Sequence, residues 1–399
     1  MKTPAVSVVL TSYNHERFIG HAIDSVLSQT FGDFELIVYD DNSSDASWDI
    51  IQSYRDARIK PVRNEQNRRQ KPINAVLRSG LVQGSLVAIH HSDDLWLPTK
   101  LARQVAALED RPELGAVFTQ AEPIDEGGSP LAAGDHNYAA VFEQDNQPRH
   151  AWLRQFLTRG NGLCHPSALV RKSTYDRLGY YRESLFQLAD FEMWIRLCAR
   201  FDIHVVQEKL TRFRLLAGEA NTSGDRPDAR SRLALEWPLA LKAFTEIEDV
   251  DLLQKAFPEV GDLQDLTNED VPLVFALAVL AVGTLPTARM FALSLLQSAL
   301  ADQSRHDDIR RRFGYDMHRL YRDTGELDLL NDILLRERLS LVHAREDTIH
   351  QRELEIIELK HRIDALQKHL DIVLSSRSWT ITKPLRDATE WWAARRNRR

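Results

Sequence analysis

Along the first quarter of the chain, short apolar runs alternate with stretches whose apolar residues recur at helical spacing. The runs are rich in valine and isoleucine, which is typical of strands buried on both faces. Strand and helix in alternation predict right-handed crossovers and a mainly parallel α/β sheet. The predicted strands are 5–13, 34–45, 59–64 and 85–91, and the predicted helices between them are 17–30, 47–56 and 72–83.

Three polar clusters fall at the ends of predicted strands: Thr11–Asn14, Asp40–Asp45 and His91–Asp94. In a parallel sheet the carboxyl ends of the strands share one edge, and ligands bind in the crevice outside them. We therefore expect the three clusters to form one site. No GxGxxG motif follows the first strand, which disfavours a dehydrogenase. A nucleotidyltransferase is disfavoured as well, because that strand lacks a glycine-rich, basic phosphate loop.

Beyond residue 225 the pattern becomes helical throughout. Residues 226–334 predict a bundle of helical hairpins, with turn signals at 257–262 and 283–286. In residues 335–375 apolar residues recur every seven positions, which predicts a coiled coil and a homo-oligomer formed through it. The alternative is a long helix packed on its own domain. The predicted seam consists of Val342, Ile349, Ile356, Ile363 and Leu370, together with Leu359, Leu366 and Val373.

The tail, residues 376–399, is basic and rich in tryptophan. This combination suits the interface of an anionic membrane, because indole rings lie at headgroup depth and cations are attracted to the surface. A solvated disordered tail and a protein-binding helix are the alternatives. The tryptophans are Trp379, Trp391 and Trp392, and the basic residues are Arg377, Lys383, Arg386, Arg395, Arg396, Arg398 and Arg399.

Composition narrows the functional classes. The 51 Lys and Arg against 58 Asp and Glu give a net charge of −7, so no binding to nucleic acid is expected. Only Cys164 and Cys198 are present, which favours a reducing compartment. The chain begins without the pattern of a signal peptide. The longest apolar run, Val271–Pro286, is shorter than the roughly 20 residues of a membrane span and predicts a buried helix.

Paired carboxylates, Asp93 and Asp94, follow the fourth predicted strand. Such neighbours repel each other unless a cation or a proton lies between them. Their oxygen atoms suit Mg²⁺ or Mn²⁺, with positions left open for phosphate. The other interpretation is that Asp94 caps a following helix. Asp190, which begins the helical stretch 190–198, leaves a similar choice between a general base and a helix cap.

Four stretches resemble, in the same order, the motifs of the family 2, GT-A type, inverting glycosyltransferases. The resemblance covers about Pro4 to Ser223. It implies a Rossmann-like, mainly parallel GT-A domain, which we assign to residues 1–225, ahead of the helical domain and the coiled coil. The stretches are 6–47, 84–118, 164–173 and 188–198.

This resemblance implies a nucleotide site at the first two strand ends. Asp41 matches the family's aspartate that hydrogen-bonds the base, and Thr11 and Tyr13 match positions that frame the base and ribose.

The family's DxD motif, which binds metal and diphosphate, matches His91, Ser92 and Asp93, and Asp94 follows it. The first acid of the motif is therefore a histidine here. The resemblance implies that Ser92 and Asp93 contact the nucleotide and that His91, Asp93 and Asp94 hold Mg²⁺ or Mn²⁺.

Asp190 matches the family's catalytic base, although Ala189 replaces the acid that usually precedes it. Leu216 stands where a histidine is common, two positions after a retained arginine. The residues that the resemblance implies as substrate contacts are His165, Trp194 and Arg214.

Together these features predict an inverting glycosyltransferase that uses a UDP- or dTDP-sugar. Its acceptor is expected to be a glycan or a lipid-linked sugar of surface polysaccharide, because the tail pattern SxSWxxTxPLR resembles the endings of several bacterial enzymes of that pathway. We expect the enzyme at the inner face of the cell membrane. The alternative function is a non-catalytic scaffold that acts through its helical and coiled-coil regions.

Overall fold

The computed structural model describes residues 2–67, 72–132, 140–283, 285–328 and 332–396. These residues form two compact units, Met1–Leu327 and Asp328–Arg399.

An eight-stranded sheet runs through the first unit in the order β3-β2-β1-β4-β7-β6-β8-β5. Strands β1 to β4 pair in parallel, as do β6 and β8, whereas β7 and β5 run antiparallel to their neighbours. The predicted mainly parallel α/β sheet is confirmed. The strands are β1 Val6–Ser12, β2 Phe34–Asp40, β3 Ile59–Arg63, β4 Leu86–His91, β5 Leu95–Trp96, β6 Leu114–Ile124, β7 Leu169–Arg171 and β8 Asp202–Arg214.

Helices cover both faces of the sheet, because successive residues of a buried strand point to opposite sides. In β1, Val9 packs in one hydrophobic cluster while Val8 and Leu10 pack in the other. The helices that alternate with the strands are α1 Ile19–Leu27, α2 Ser47–Ser53, α3 Pro72–Arg78, α4 Lys100–Glu109, α5 Arg149–Thr158, α6 Lys172–Leu178 and α7 Ala189–Arg200.

The register of the parallel strands brings the polar clusters together. Thr11 at the end of β1 lies opposite Tyr39 of β2 and His91 of β4. Just beyond the strands, the backbone N–H of Asp41 donates to the carbonyl of Ser12 at 2.8 Å. The three strand ends therefore meet at one edge of the sheet, as the sequence predicts.

The chain after β8 is helical. The apolar run that begins at Val271 forms α10, and it is largely buried in the larger hydrophobic cluster. None of the helices in the described ranges combines the length and apolar character needed to cross a bilayer. The helices of this region are α8 Pro227–Leu241, α9 Val250–Ala256, α10 Val271–Val282, α11 Pro286–Leu300, α12 His306–Phe313 and α13 Met317–Gly325.

The helical region shares one hydrophobic core with the sheet. Phe244 and Phe275 belong to the same cluster as Val87 and Phe118. Residues of the predicted GT-A domain, 1–225, and of the predicted bundle, 226–334, thus lie in one compact unit as far as Leu327. As separate domains these ranges stay predictions.

The second unit contains a 44-residue helix, α14 Asp332–Ser375, followed by α15 Arg377–Ile381 and α16 Lys383–Arg396. The Ser376 hydroxyl accepts from the backbone N–H of Trp379 and caps α15. The side chains of the predicted seam are exposed, for example Ile349 at 59% and Ile363 at 54%. The coiled coil stays a prediction. Arg398 and Arg399 lie outside the described residues.

Candidate active site at the carboxyl edge of the sheet

The loops after β1 and β2 hold each other in place. Asn14 and Asn42 adopt left-handed backbone conformations, with φ of 51° and 64°, which asparagine tolerates better than most residues. The Asn14 N–H donates to the Ser43 hydroxyl at 2.9 Å, and the Asn14 side-chain oxygen accepts from the N–H of Ser44 at 2.8 Å. The two walls of the predicted nucleotide site therefore form one network.

The residues predicted to contact the nucleotide line this edge. Thr11 is partly buried, and Tyr13 is 47% exposed. Asp41 is buried, and its Oδ1 accepts from the Asn64 amide at 2.7 Å. The Tyr39 hydroxyl donates to the other end of that amide at 2.7 Å. Thr11 lies beside His91 of β4, and Asp41 is bonded to the end of β1. The structure adds Asn64 as a residue that orients Asp41.

Ser92, directly after β4, is hydrogen-bonded to a residue of the loop after β1. Its hydroxyl lies 2.7 Å from Nδ1 of His15, whose backbone N–H donates to Ser47 at 3.0 Å. His15 is therefore part of the site, although nothing in the local sequence pattern around it indicates this.

Three predicted metal ligands cluster directly after β4. Ligand atoms of His91, Asp93 and Asp94 all lie within 4.8 Å of one another. Asp94 is buried, and its Oδ2 has no hydrogen-bond partner among the described residues. The same oxygen lies 3.6 Å from Nδ1 of His91. A buried carboxylate oxygen without a partner is costly, so this donor set fits a divalent cation.

Electrostatics in the cluster point the same way. Burial, reinforced by the neighbouring Asp93 charge, raises the pKa of Asp94 well above its ordinary value. Burial also lowers the pKa of His91 and of His165, which favours the neutral imidazole. Neutral imidazole is the form that binds metal, and a cation would relieve the repulsion between the two carboxylates.

Asp94 does not cap the next helix. Helix α4 begins at Lys100, and its N-cap, Thr99, makes no side-chain capping bond. Asp94 instead accepts from the backbone N–H of Arg214 through Oδ1 at 2.8 Å. The helix-cap alternative for Asp94 is therefore wrong.

Arg214 stabilises the turn that contains Asp93 and Asp94. Its guanidinium donates to the carbonyls of Asp93 at 2.6 Å, Asp125 at 2.9 Å and Glu126 at 2.7 Å, and the residue is buried. It also lines a groove of about 630 Å³ beside α1 and β5. These bonds hold the turn; a direct contact with substrate stays a prediction.

His165 lies next to His91, one of the predicted metal ligands, in the short 3-10 helix His165–Ser167. Its Nδ1 is 3.2 Å from Nε2 of His91, and its Nε2 is 3.0 Å from the hydroxyl of Tyr181. Both ring nitrogens thus have partners within the protein. The predicted contact between His165 and substrate stays a prediction.

The expected general base, Asp190, lies in the first turn of α7 and is partly buried. Its Oδ2 accepts from the Asn161 amide at 3.2 Å, and its Oδ1 accepts from the adjacent Phe191 N–H at 2.7 Å. Burial raises the pKa of Asp190 to about 6, although these hydrogen bonds oppose the shift. The N-cap of α7 is Leu188, so Asp190 is not the capping residue.

Asp94 and Asp190 both act on the buried Cys164 thiol. Besides burial, the charges of the two carboxylates contribute to raising the pKa of this thiol. The expected base and one of the predicted metal ligands are therefore within electrostatic reach of the same side chain.

Trp194, a predicted substrate contact, is fully buried. Its ring packs edge-on against Phe118, with centroids 4.8 Å apart, and against His165 at 5.8 Å. This is the environment of a core side chain, in which Trp194 supports α7 and His165; a contact between Trp194 and substrate stays a prediction.

Helix α8 contacts the segment that leads into α7. The buried Glu236 carboxylate accepts from the backbone N–H groups of Phe186 at 2.8 Å, Gln187 at 2.8 Å and Leu188 at 3.0 Å. The next residue, Trp237, stacks on Phe191 with ring centroids 5.1 Å apart. The helical region therefore fixes the start of the helix that carries Asp190.

Comparison with known proteins agrees with this architecture. Residues 7–171 match the sequence profile described as "Glycosyl transferase family 2". An uncharacterized glycosyltransferase of Methanocaldococcus jannaschii is 28% identical over 225 residues, which is 54% of this chain and 72% of the relative.

Two further proteins are similar over different spans. The Escherichia coli "UDP-Glc:alpha-D-GlcNAc-diphosphoundecaprenol beta-1,3-glucosyltransferase WfaP" is 34% identical over 105 residues, 26% of this chain and 41% of that relative. A crystal structure of an S. aureus TarS fragment with UDP aligns with a TM-score of 0.49 and 17% identity, covering 74% of this chain and 84% of that chain. The match over residues 7–171, together with the sheet topology, shows that the chain contains a family 2, GT-A type glycosyltransferase domain.

Proposed function

We propose that the protein is an inverting glycosyltransferase that moves a sugar from a UDP- or dTDP-sugar to a hydroxyl group of a glycan or lipid-linked acceptor. The observation that carries the proposal is Asp190, a partly buried carboxylate in the first turn of α7 whose pKa is raised to about 6. A base of this strength suits proton transfer near neutral pH.

In this mechanism Asp190 accepts the proton of the acceptor hydroxyl as that oxygen attacks the anomeric carbon. The bond to the nucleoside diphosphate breaks at the same time, and the leaving group departs from the opposite face with the bonding electrons. Attack opposite the leaving group inverts the configuration at the anomeric carbon. Asn161 orients Asp190 through its hydrogen bond at 3.2 Å.

The donor would lie along the ends of β1, β2 and β4, with Thr11, Tyr13 and Asp41 at the base and ribose and Ser92 and Asp93 at the diphosphate. His91, Asp93 and Asp94 would hold Mg²⁺ or Mn²⁺, which supplies positive charge to the departing diphosphate when bound. Arg214 keeps Asp93 and Asp94 in place through its bonds to both.

A lipid-linked acceptor is supported by two observations. The name of the E. coli relative states that it acts on a sugar attached to diphosphoundecaprenol. In the tail, Trp379, Trp391 and Trp392 are exposed, and Arg386 lies 3.6 Å from the ring centroid of Trp379. We therefore place the enzyme at the inner face of the membrane, in the synthesis of surface polysaccharide, with α14 joining two or more copies.

The donor class is tested by thermal unfolding of the purified protein with UDP, dTDP, GDP or CMP, each with and without Mn²⁺. A ligand that binds the folded state stabilises it by about 2.7 kcal/mol at one hundred times its dissociation constant. We expect UDP or dTDP to raise the melting temperature in this way only when Mn²⁺ is present, because the proposed site holds the diphosphate through the cation. An equal rise with GDP or CMP would contradict the pyrimidine diphosphate assignment. No rise with any nucleotide would favour the scaffold alternative.

The roles of the second unit are separated by two truncations. A chain ending at Leu327 is expected to be monomeric and to ignore anionic vesicles. A chain ending at Ser375 keeps the seam and should retain the oligomeric state while losing vesicle binding, because the tryptophans and the basic tail are gone. Light scattering and vesicle co-sedimentation at low salt measure the two properties. If the chain ending at Leu327 kept the oligomeric state of the full chain, the coiled coil would be excluded as its cause.

A further inference from the structure

A continuous line of hydrogen bonds runs from His91, one of the proposed metal ligands, into the core. His91 Nε2 lies 3.2 Å from His165 Nδ1, and His165 Nε2 lies 3.0 Å from the Tyr181 hydroxyl. The Tyr181 hydroxyl in turn lies 2.9 Å from the hydroxyl of Tyr175. The line begins at the imidazole whose Nδ1 is 3.6 Å from the unpartnered Oδ2 of Asp94.

The protein fixes each link of this line. Tyr175 and Tyr181 are buried. The Asn74 amide clamps the backbone of Tyr181, accepting from its N–H at 3.1 Å and donating to its carbonyl at 2.8 Å. The Trp96 indole donates to the carbonyl of Pro166 at 2.9 Å, next to His165. Four separate segments of the chain therefore converge to build the line.

Hydrogen-bond chemistry allows the links from His91 through His165 to Tyr181 only two directions. A neutral imidazole has one nitrogen that donates and one that accepts. If Nδ1 of His91 is the bare nitrogen, its Nε2 donates to His165, which then donates to Tyr181, and Tyr181 donates to Tyr175. In the opposite direction Tyr175 donates toward the cleft, and Nδ1 of His91 carries a proton that points at Asp94. Only the first direction leaves a lone pair on Nδ1 for a cation.

We propose that His165 and Tyr181 are positioning residues that hold His91 in the tautomer and orientation in which Nδ1 binds a divalent cation together with Asp93 and Asp94. The inference rests on the proposed metal site and assigns a function to residues behind it. His91 occupies the place where the resembling family has an aspartate. A carboxylate needs no partner to choose its tautomer, whereas a histidine ligand does.

The test measures how tightly the full chain binds Mn²⁺. Binding is monitored through the electron paramagnetic resonance signal of the free ion. Tyr181→Phe removes one hydroxyl and breaks the line one link beyond His165. Loss of the direct hydrogen-bond partner of a metal-bound histidine lowers affinity by about 10- to 100-fold. Because Tyr181 acts through His165, we expect a loss of about 10-fold, at the lower end of that range. Tyr180→Phe is the matched control, because the hydroxyl it removes is not a link of the line, and the ring that packs against Tyr175 and Arg78 is kept.

A second background separates positioning from a general structural effect. His91→Asp replaces the imidazole with a carboxylate that cannot bond to His165 as a histidine does. In that background Tyr181→Phe is expected to leave Mn²⁺ affinity unchanged. A loss of the same size in both backgrounds would overturn the proposal, since it would show that the hydroxyl only supports the fold.

The remaining outcomes also decide. If the unaltered protein binds Mn²⁺ and Tyr181→Phe binds it equally well, the positioning role is refuted while the metal site stands. If the unaltered protein takes up no Mn²⁺, the metal site and the positioning role both fail. Should Tyr181→Phe not fold, as judged by circular dichroism, His165→Ala removes the direct partner of His91 and is expected to lower affinity by about 10- to 100-fold.

Discussion

Asp190→Asn is expected to lower the rate of sugar transfer by about 100- to 10,000-fold, the range associated with loss of a general base. Asparagine keeps the size of the side chain and its contact with Asn161 but cannot accept the acceptor's proton. Binding of the nucleotide-sugar should change little, because Asp190 lies at the acceptor side of the proposed reaction. Steady-state rates and calorimetric titration with the donor measure the two effects.

The pH profile of the unaltered enzyme should carry the signature of the same group. Burial raises the pKa of Asp190 from 3.8 to about 6, so transfer should fall as the pH drops through 6. For stability, a folded-state pKa above the unfolded one favours the protonated carboxyl in the fold. That contribution is present below pH 3.8 and is lost as the pH rises through about 6.

Loss of activity in Asp190→Asn should therefore not come from unfolding. At pH 7 the neutral amide avoids the cost of a partly buried charge, and the melting temperature should equal or exceed that of the unaltered protein. Asp176→Asn, at an exposed position of α6, is the matched control and should leave the rate unchanged. Turnover retained by Asp190→Asn would refute the assignment of the base.

Glu236→Ala is expected to lower the free energy of unfolding by about 3 kcal/mol or more. The carboxylate accepts from the N–H groups of Phe186, Gln187 and Leu188, and hydrogen bonds to a charged group contribute about 1.5 to 3 kcal/mol each. The segment that leads into α7 should then loosen, so the turnover rate should fall more than donor affinity. Denaturant unfolding and steady-state kinetics measure these changes.

Glu248→Ala provides the comparison for Glu236→Ala. Glu248 pairs with Arg200 on the surface, where its side chain is 73% exposed, and such pairs contribute about 0 to 1 kcal/mol. Its loss should change neither stability nor turnover to a comparable extent. If Glu236→Ala were as stable and as active as Glu248→Ala, the bonds from α8 would have no role in holding the base.

Strands β1, β2 and β4 could be predicted because burial on both faces gives each of them a mostly apolar run, as in Leu86–Ile89. The short β3 was predicted as well, whereas β6, β7 and β8 were not. The edge where the polar clusters meet follows from parallel pairing alone. By contrast, β5 is only Leu95–Trp96, too short for any periodicity. The sequence there permits a helix that starts near Asp94. The structure instead begins α4 at Lys100, after Pro98.

Long-range partners were the part of the site that pattern could not reveal. Glu236 lies 48 to 50 positions from the backbone groups it binds, and His15 lies 77 positions from Ser92. A glutamate inside an amphipathic helix has the same local pattern whether it faces solvent or a buried turn. Tyr181 and Asn161 were missed for the same reason, since a polar residue in a loop reveals its partner only after the chain has folded.

The network between the loops after β1 and β2 has a consequence for donor binding. Because Asn14 is bonded to both Ser43 and Ser44, these loops give up their conformational entropy when the protein folds rather than when the nucleotide arrives. The proposed base pocket is thus preorganised. Binding of the nucleotide should then cost little conformational entropy in the protein, because the loops that contact it are already ordered.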